Sequence, residues 1–472
     1  MNNPELYYLL PFWLTVAGSL ALLFNEAFFK EGGRGMAPAM AALFSLAALA
    51  AACYQLWGPS VSVRLFSNTL KLDTFALGIS AAAALSALIG ILFSVHYLTT
   101  EKALTGEFYS LILMATAGMQ VMAAANELLT FFVGLELLSI PGYVLAGYFR
   151  NRDRSIEAAL KYYLPGVFAT AFLLYGFALL YGATGSTFFE AIKSSLASES
   201  IPITVWVSGL FILTGLSFKV GLVPFHAWAP DVYDGAAAPV SAFLSTGFKA
   251  AGFAAMARIF IEVLPLSVHW SHVFVVIAVL TMFIGNLGAL VQKSVKRMLA
   301  YSSVAHAGYL LVAFVTLPMA ASRDVYLALW VYLTAYTLMT GGAFGLLSWL
   351  TQKSESKPGY ADLGGLGLKY PLAGLAMAVF MFSLAGFPPT AGFFGKYMIF
   401  KLAVQHGYTT LAIVGVLNSF LSAYYYLRII VYLYMKPQTE PESMSSRGFS
   451  FQAGLALSTV GSLAAGFLIM LF

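Results

Sequence analysis

Long apolar runs follow one another through almost the whole chain, and only short polar segments separate them. A transmembrane helix needs about 20 predominantly apolar residues, so this pattern is typical of a polytopic membrane protein. We therefore predict an all-α fold in which residues 1–472 form a single transmembrane domain. The runs predict fourteen spans, approximately at 6–28, 36–57, 72–98, 107–125, 127–149, 157–184, 201–231, 239–263, 272–291, 299–318, 325–350, 371–404, 408–435 and 449–472.

Two of these segments, 201–231 and 371–404, exceed thirty residues. At 1.5 Å per residue an unbroken helix of that length would reach about 45 Å, against a hydrocarbon core of about 30 Å. Each segment contains glycine and proline near its middle, at 221–224 in the first and at 386–395 in the second. We therefore predict that the seventh and twelfth helices are interrupted at these places.

Composition excludes a soluble protein, because 60% of the residues are hydrophobic and only 10% are charged. Soluble domains carry about 25% charged residues. Cys53 is the one cysteine, so this chain alone can form neither a disulfide nor a thiolate-ligated cluster. The first residues, MNNPE, lack a basic segment, and we expect no cleaved signal peptide. The net charge of +5 does not require a nucleic-acid partner, because most basic residues lie in short loops.

Lysine and arginine are concentrated in alternate loops. One set of loops holds fourteen of them, and the other set holds four. The positive-inside rule places the first set in the cytoplasm, so both termini are expected on the outer side, as an even number of spans requires. The fourteen are Lys30, Arg34, Lys102, Arg150, Arg152, Arg154, Lys293, Lys296, Arg297, Lys353, Lys357, Lys369, Lys436 and Arg447, and the four are Arg64, Lys71, Lys193 and Arg323.

Ionisable residues also fall inside the predicted spans, where a lysine near the midplane costs roughly 2.5–3.5 kcal/mol on insertion scales. Lys219 precedes the first interruption, and Lys249 lies ten residues past Pro239 in the next span. Glu136 lies nine residues past Glu127, which is about 13.5 Å of helix, at a depth similar to that of Lys219. We interpret the three as parts of an ion path. The alternatives are a Lys219 that reaches the interface and a neutral Glu136 bonded to a neighbouring helix.

The second half of the chain carries a corresponding set. Lys396 follows the second interruption, and Lys401 lies five residues later, nearer the outer end. His306 lies about one and a half turns into the tenth span, and an unperturbed histidine titrates near physiological pH. Lys396, His306 and Lys401 are further relay candidates, whereas a packing role for His306 and an interfacial role for Lys401 stay open.

Two pairs of opposite charge have the i,i+4 spacing that places side chains on one helix face. Glu157 and Lys161 lie near the cytoplasmic end of the sixth span, and Lys161 is a possible link toward Lys219. A local salt bridge is the alternative. For Arg258 and Glu262 at the outer end of the eighth span, a local salt bridge is the favoured interpretation.

Several kinds of chemistry have no motif in the sequence. There is no GxxxxGK[ST] motif for nucleotide hydrolysis, and the glycine-rich GGLGLKY at 364–370 lacks the spacing and the preceding strand of a dinucleotide site. The six histidines are scattered without the spacing of haem or zinc ligands. We therefore expect no cofactor and no metal in this chain, and we expect it to move an ion.

Three segments together resemble a known family: FKVGLVPFHAWAPDVYDGAAAPVSAFLSTGFKAA, VKRMLAYSSVAHAGYLL and LAGFPPTAGFFGKYMIFKLA. They are similar to the antiporter-like membrane subunits of respiratory complex I, which are related to the membrane subunits of Mrp-type Na⁺/H⁺ antiporters. The resemblance implies fourteen helices with two inverted five-helix repeats, spans 4–8 at 107–263 and spans 9–13 at 272–435, and with helices 7 and 12 broken. Three complex I paralogues differ within this family. The largest carries a lateral helix after its fourteenth span, which this chain, ending at Phe472, lacks, and the middle one has glutamate in the second broken helix, where this chain has Lys396. The chain therefore resembles the third type.

The resemblance also implies a function. The chain would be a non-redox, proton-translocating subunit of an NADH:quinone oxidoreductase, an enzyme of the translocase class. By position, Glu136 and Lys219 resemble the charge pair of the family, Lys249 and His306 the connecting relay, and Lys396 the residue that leads to the exit.

The implied partners are other membrane subunits and the peripheral redox arm of such a complex, with NADH, FMN, iron–sulfur clusters and quinone bound in those partners. The implied location is the bacterial inner membrane, with both termini periplasmic, lipid around the chain and no nucleic acid. A subunit of an Mrp-type Na⁺/H⁺ antiporter and a structural scaffold with inert internal charges remain alternatives.

Overall fold

A computed structural model describes residues 7–58, 62–197, 201–264, 268–317, 319–350, 359–437 and 448–470. The first half contains α1 (Leu10–Arg34), α2 (Ala37–Trp57), β1 (Val63–Leu65), β2 (Leu70–Leu72), α3 (Thr74–Thr100), α4 (Gly106–Ala124), α5 (Leu128–Ala146), α6 (Asp153–Thr184), α7 (Phe189–Ser195), α8 (Ile203–Val220), α9 (Trp228–Gly235) and α10 (Ala238–Val263). The second half contains α11 (Val268–Leu290), α12 (Val295–Val315), α13 (Ser322–Leu350), α14 (Pro371–Ala385), α15 (Ala391–Gln405), α16 (Thr409–Met435) and α17 (Phe449–Met470).

The chain is a mostly helical polytopic membrane protein. Twelve helices of the described part are long and apolar enough to cross a membrane, or thirteen if the sharply bent pair Ala361–Lys369 and Pro371–Ala385 is one span. The predicted number, fourteen, is higher, in part because α14 and α15 have only 15 residues each. The predicted loop residues Lys353, Lys357 and Arg447, and the end of the last predicted span, lie outside the described residues.

A small antiparallel hairpin, β1 with β2, departs from the all-α prediction. Val63 pairs with Leu72 and Leu65 with Leu70, and Leu70 also forms a bridge to Ala125 at the end of α4. Each strand has only three residues, which is too short for an alternating pattern to be recognised in the sequence.

Both predicted interruptions are present, and they begin in the same way. Gly221 and Gly386 adopt positive φ angles of 74° and 88°, which glycine tolerates at the end of a helix. The amide of the next residue bonds back to the last turn of the helix. The N–H of Leu222 donates to the carbonyl of Ser217 at 2.9 Å, and the N–H of Phe387 donates to the carbonyl of Phe382 at 3.0 Å. This is the Schellman arrangement, which satisfies carbonyl groups at a helix end.

The extents of the two interruptions differ from the prediction. The first runs over 221–227, longer than expected, and the second ends at 390 because Gly392 and Gly395 are helical. A Cβ at Gly392 would lie 1.9 Å from the carbonyl oxygen of Ser383, and one at Gly395 would lie 3.1 Å from the Tyr332 backbone. These two glycines therefore allow close packing rather than a break.

The helix α10 is not uniform. Two π-helical segments, Leu244–Phe248 and Arg258–Val263, flank an α-helical segment that begins at Lys249. π-Helical segments are uncommon and often occur at functional sites. The predicted relay lysine thus lies at a junction between two helix types.

An ion cluster around a buried arginine holds the C-terminal end of α10. The Arg258 guanidinium is fully buried and donates to both carboxylate oxygens of Asp73 at 2.7 Å and to Glu262 at 2.5 Å. Lys71 and Tyr326 also donate to Glu262, at 2.9 and 2.7 Å. Burial raises the pKa of Asp73, but Arg258 and Lys71 outweigh it and hold that pKa below its ordinary value. The predicted Arg258–Glu262 salt bridge is therefore one contact of a larger cluster.

We predict that Asp73→Asn destabilises the protein by about 3 kcal/mol, because removing one partner of a buried ion pair leaves the other undercompensated. The measurement is the free energy of unfolding in detergent. Arg64→Gln is the control, since Arg64 pairs with Glu190 in an exposed bridge that contributes less than about 1 kcal/mol. Equal stability of the two variants would contradict the prediction.

Candidate proton-relay site

Four predicted relay residues are buried in the helix bundle. Their relative exposures are 8% for Lys219, 3% for Lys249, 1% for His306 and 4% for Lys396. A buried charged group is costly unless hydrogen bonds replace its water. The partners of each side chain therefore show how the bundle holds it.

Lys219, at the end of α8, contacts α5. Its Nζ donates to the hydroxyl of Ser139 at 2.6 Å and to the hydroxyl of Tyr143 at 3.4 Å. The ammonium also lies 5.4 Å from the centre of the Tyr143 ring. The Ser139 hydroxyl donates its own proton to the carbonyl of Leu135, so it is left as an acceptor for the lysine.

Glu136 lies on α5, one turn before Ser139, and its carboxylate accepts a hydrogen bond of 3.2 Å from Thr170 on α6. It is partly exposed on the surface of the bundle. Among the described residues, no ion pair within 4 Å joins Glu136 to Lys219. Glu136 is part of α5, and Lys219 bonds to a different residue of the same helix, so the two groups are near each other without a direct ion pair. Their pairing stays a prediction.

Lys249 connects α10 to α12. Its Nζ donates to the hydroxyl of Ser303 at 2.5 Å and to the main-chain carbonyl of the same residue. It also lies 5.4 Å from the centre of the Tyr336 ring. Both acceptors belong to one residue, one turn before His306.

His306 bonds through both ring nitrogens. Nδ1 is 2.8 Å from the hydroxyl of Tyr332, and Nε2 is 3.2 Å from the hydroxyl of Tyr426. The Tyr426 hydroxyl bonds in turn to Ser302. An imidazole with a hydroxyl on each side can pass a proton from one nitrogen to the other by changing tautomer.

Lys396, on α15, reaches back across the second interruption. Its Nζ donates to the carbonyls of Leu384 and Ala385 at 2.9 and 3.1 Å and to the hydroxyl of Ser419 at 2.7 Å. These carbonyls end α14, where the helix dipole places partial negative charge. The three donors of the ammonium are therefore satisfied without a carboxylate.

The remaining candidates lie toward the surface. Lys161 forms ion pairs with Glu157 at 2.6 Å and with Asp231 at 2.8 Å, and Asp231 also pairs with Arg297 at 2.6 Å. Lys161 is exposed and bonds to these acids rather than to Lys219. The local pair is thus present, joined to α9 and α12.

Lys401 is exposed on a cleft of about 740 Å³ between α15 and α16, and Lys396 lines the same cleft. The other walls are mostly apolar. In the ranges that the structure describes, no group of three or more His, Cys, Asp or Glu side chains is placed to hold a metal ion.

The sequence interpretation missed the neutral partners of the relay. Two of them, Tyr143 in α5 and Tyr309 in α12, each follow a glycine and lie under a lysine, but Gly-Tyr also occurs at 147–148, 359–360 and 407–408, so the dipeptide alone does not indicate them. The ammonium of Lys219 lies 5.4 Å from the Tyr143 ring, and that of Lys396 lies 4.9 Å from the Tyr309 ring. Ser139, Ser303 and Ser419 also carry no sequence signal, and only their contacts with the lysines reveal them.

Broken apolar helices around buried ionisable side chains define an ion-translocating class of membrane protein. A family model described as NADH:quinone oxidoreductase/Mrp antiporter, membrane-spanning, matches residues 125–422, and the chain belongs to this family.

Similar proteins share nearly the whole length. NADH-quinone oxidoreductase subunit N of Trichlorobacter lovleyi is 45% identical over 96% of this chain and 92% of the relative. NADH-quinone oxidoreductase subunit N 2 of Roseiflexus castenholzii is 40% identical over 96% of this chain and 92% of the relative's length.

Among solved structures, a chain of respiratory complex I from Thermus thermophilus with bound aureothin has a TM-score of 0.82 and 35% identity, and covers 98% of each chain. The Mrp complex from Dietzia shares the fold, with a TM-score of 0.86 at 22% identity over 100% of this chain and 96% of the other.

We predict that Ser139→Ala destabilises the protein more than Ser303→Ala does. Without Ser139, the Lys219 ammonium keeps only the distant Tyr143 hydroxyl, and a hydrogen bond to a charged group contributes about 1.5–3 kcal/mol. Lys249 keeps the main-chain carbonyl of Ser303, so that variant should lose less than about 1 kcal/mol.

Thermal unfolding in detergent measures both changes. Ser45→Ala is the control, because its buried hydroxyl donates to the neutral carbonyl of Ala84 at 2.9 Å. Equal losses for Ser139→Ala and Ser303→Ala would show that the two lysines are not held in the way described.

Proposed function

We propose that this chain is a proton-translocating membrane subunit of an NADH:quinone oxidoreductase and that it has no redox chemistry of its own. The observation that carries the proposal is a set of three lysines and a histidine that are buried in the bundle and bonded to neutral hydroxyl and carbonyl groups. Relatives at 40–45% identity that span most of the chain carry the name NADH-quinone oxidoreductase subunit N, which supports the same conclusion.

In the first step, the position of Glu136 sets the proton on Lys219. Opposite charge favours the protonated lysine, and burial opposes it, so a change in their separation alters the balance. Thr170 on α6 and Ser139 on α5 hold the two groups at present. A shift of α5 against α6 or α8 would therefore release the lysine proton.

The second step needs a change of structure. A void beside Lys219, which Phe248 and Gly252 of α10 help to line, is too narrow for a water molecule. Lys249 lies between those two residues in the sequence. Proton transfer from Lys219 to Lys249 therefore requires this contact to open, and the π-helical segment Leu244–Phe248 is placed to allow it.

From Lys249 the path continues through Ser303 to His306 and then to Lys396. Ser303 and His306 are one turn apart on α12, and the hydroxyls of Tyr332 and Tyr426 flank the imidazole. Lys396 lines the cleft that opens between α15 and α16. We infer that this is the direction of exit.

The same proposal includes fourteen spans, two inverted repeats at 107–263 and 272–435, and both termini on the periplasmic side of a bacterial inner membrane. Two features support the repeats: the similar Schellman ends at Gly221 and Gly386, and the lysine over a Gly-Tyr tyrosine in each half. If α9 completes the seventh helix and α15 the twelfth, each lysine lies on the fourth helix of its repeat and each tyrosine on the second.

Quinone reduction in partner subunits would drive the cycle. NADH, FMN, iron–sulfur clusters and quinone would all bind there, in the peripheral arm and in neighbouring membrane subunits. The groups proposed for this chain supply only proton binding, orientation and release.

An Mrp-type Na⁺/H⁺ antiporter subunit is the second candidate, because the Dietzia Mrp chain shares the fold. Two ion-translocating functions, proton pumping and Na⁺/H⁺ exchange, are thus the alternatives to an inert scaffold. In a scaffold the buried lysines would stay charged and never exchange their protons, whereas in a relay they must both carry charge and gain and lose protons.

We predict that Glu136→Gln, Lys219→Ala and Lys219→Arg each impair proton pumping by the reconstituted complex at least tenfold, the scale expected when a positioned proton-transfer group is lost. Glu136→Gln removes the charge that favours protonated Lys219, and Lys219→Ala removes the proton carrier. Lys219→Arg keeps the charge but releases no proton, because arginine stays protonated. Quinone reductase turnover should fall with pumping because the two are coupled.

Lys436→Arg, at the exposed end of α16, is the matched control and should behave as the wild type. The measurements are pH-indicator quenching in vesicles and the quinone reductase rate, after the assembled complex has been quantified. Wild-type pumping by an assembled Lys219→Arg complex would contradict the relay and favour the scaffold. Pumping that requires Na⁺ would favour the antiporter.

A further inference from the structure

His306 and Lys396 are the last two groups of the proposed relay, and Tyr309 lies against both. Its ring is 5.6 Å from the imidazole of His306, at an interplanar angle of 88°. The ammonium of Lys396 lies 4.9 Å from the centre of the same ring. Tyr309 is on α12, one turn after His306, and is 1% exposed.

The hydroxyl of Tyr309 is held from a helix that carries none of the predicted relay residues. Nδ2 of Asn286, on α11, donates to it at 3.1 Å. Asn286 is completely buried, and a buried amide in a membrane bundle is costly unless it is fully bonded. This amide is fully bonded.

The other bonds of Asn286 fix its orientation. The second N–H of Nδ2 is shared between the main-chain carbonyl and Oδ1 of Asn418, both at 3.2 Å. Oδ1 of Asn286 accepts a bond of 2.8 Å from Tyr425. Because the acceptor side faces Tyr425, the donor side must face Tyr309 and Asn418.

This orientation has a consequence for Tyr309. Its oxygen accepts from Asn286, so its own proton points to another group. The bond also holds the ring with one face toward the ammonium of Lys396. A ring free to turn about its side-chain bonds would lose the cation–π contact with Lys396 and the edge contact with His306.

We propose that Asn286 is a positioning residue for proton transfer between His306 and Lys396, and that it acts by anchoring the hydroxyl of Tyr309, whose ring contacts both groups. This inference rests on the proposed relay. It assigns a role to α11 and to an amide that cannot itself titrate.

The test is a double-mutant cycle in the reconstituted complex with Asn286→Leu, Tyr309→Phe and the double variant. Each single variant should lower coupled turnover about tenfold, the factor that corresponds to about 1.4 kcal/mol, the size of one hydrogen bond. Because the two act through one bond, the double variant should be no slower than Tyr309→Phe alone. A merely structural role for Asn286 would give additive losses.

Tyr309→Phe keeps the ring and its packing, so it tests the proposal even where Asn286→Leu lowers assembly. Ser271→Ala is the matched control on α11, since this completely buried hydroxyl donates to the carbonyl of Val315 at 2.8 Å, away from the relay residues. It should retain wild-type turnover.

Additive losses, or wild-type turnover in assembled Tyr309→Phe, would overturn the proposal. Lys219→Ala in the same preparation distinguishes a failure of the positioning role from a failure of the relay itself. If Lys219→Ala is impaired and Tyr309→Phe is not, only the positioning role fails. If Lys219→Ala also pumps normally, the relay itself fails.

Discussion

The structure depends on one constraint: an ammonium group buried in a membrane bundle must receive hydrogen bonds from the protein in place of water. Lys219, Lys249 and Lys396 each satisfy it with neutral oxygens. Those oxygens come from neighbouring helices or from across a break, so the position of each lysine requires a particular arrangement of helices. The interruptions, the glycines that permit close packing and the π-helical segments of α10 together produce that arrangement.

The two interrupted segments meet this constraint differently. Lys219 is held by hydroxyls of another helix, α5, at 2.6 and 3.4 Å, so its bonds change when α5 and α8 move relative to each other. Lys396 is held by two carbonyls at the end of α14, across its own interruption, and by Ser419. Its bonds therefore depend mainly on the shape of the break. The first lysine is suited to respond to a neighbouring helix, and the second to a local change near the cleft.

The sequence predicted the features that depend on chain length and on single residues. Span length and glycine located both interruptions, and isolated charges in apolar runs located the buried lysines. The extent of each interruption was not predictable from the sequence. Gly392, for example, lies inside a helix, where its missing side chain allows close approach to Ser383, and only the fold shows this contact. The partners were missed for a similar reason. Ser139, Ser303 and Tyr332 are ordinary helix residues, and they differ from dozens of others only in what faces them.

The buried arginine Arg258 and the proposed relay lysine Lys249 differ in the kind of partner that compensates their charge. Arg258 is compensated by the carboxylates Asp73 and Glu262, so removing its charge would leave two partly buried anions with Lys71 as their remaining cation. Lys249 is compensated by the dipoles of Ser303 and by the ring of Tyr336, and these neutral groups need no counter-charge when the lysine loses its proton. A group that must gain and lose a proton inside a membrane is therefore best surrounded by neutral oxygens, with any carboxylate kept out of direct contact. The separation of Glu136 from Lys219 fits this rule, since an acid at bonding distance would hold the proton on the lysine instead of regulating its release.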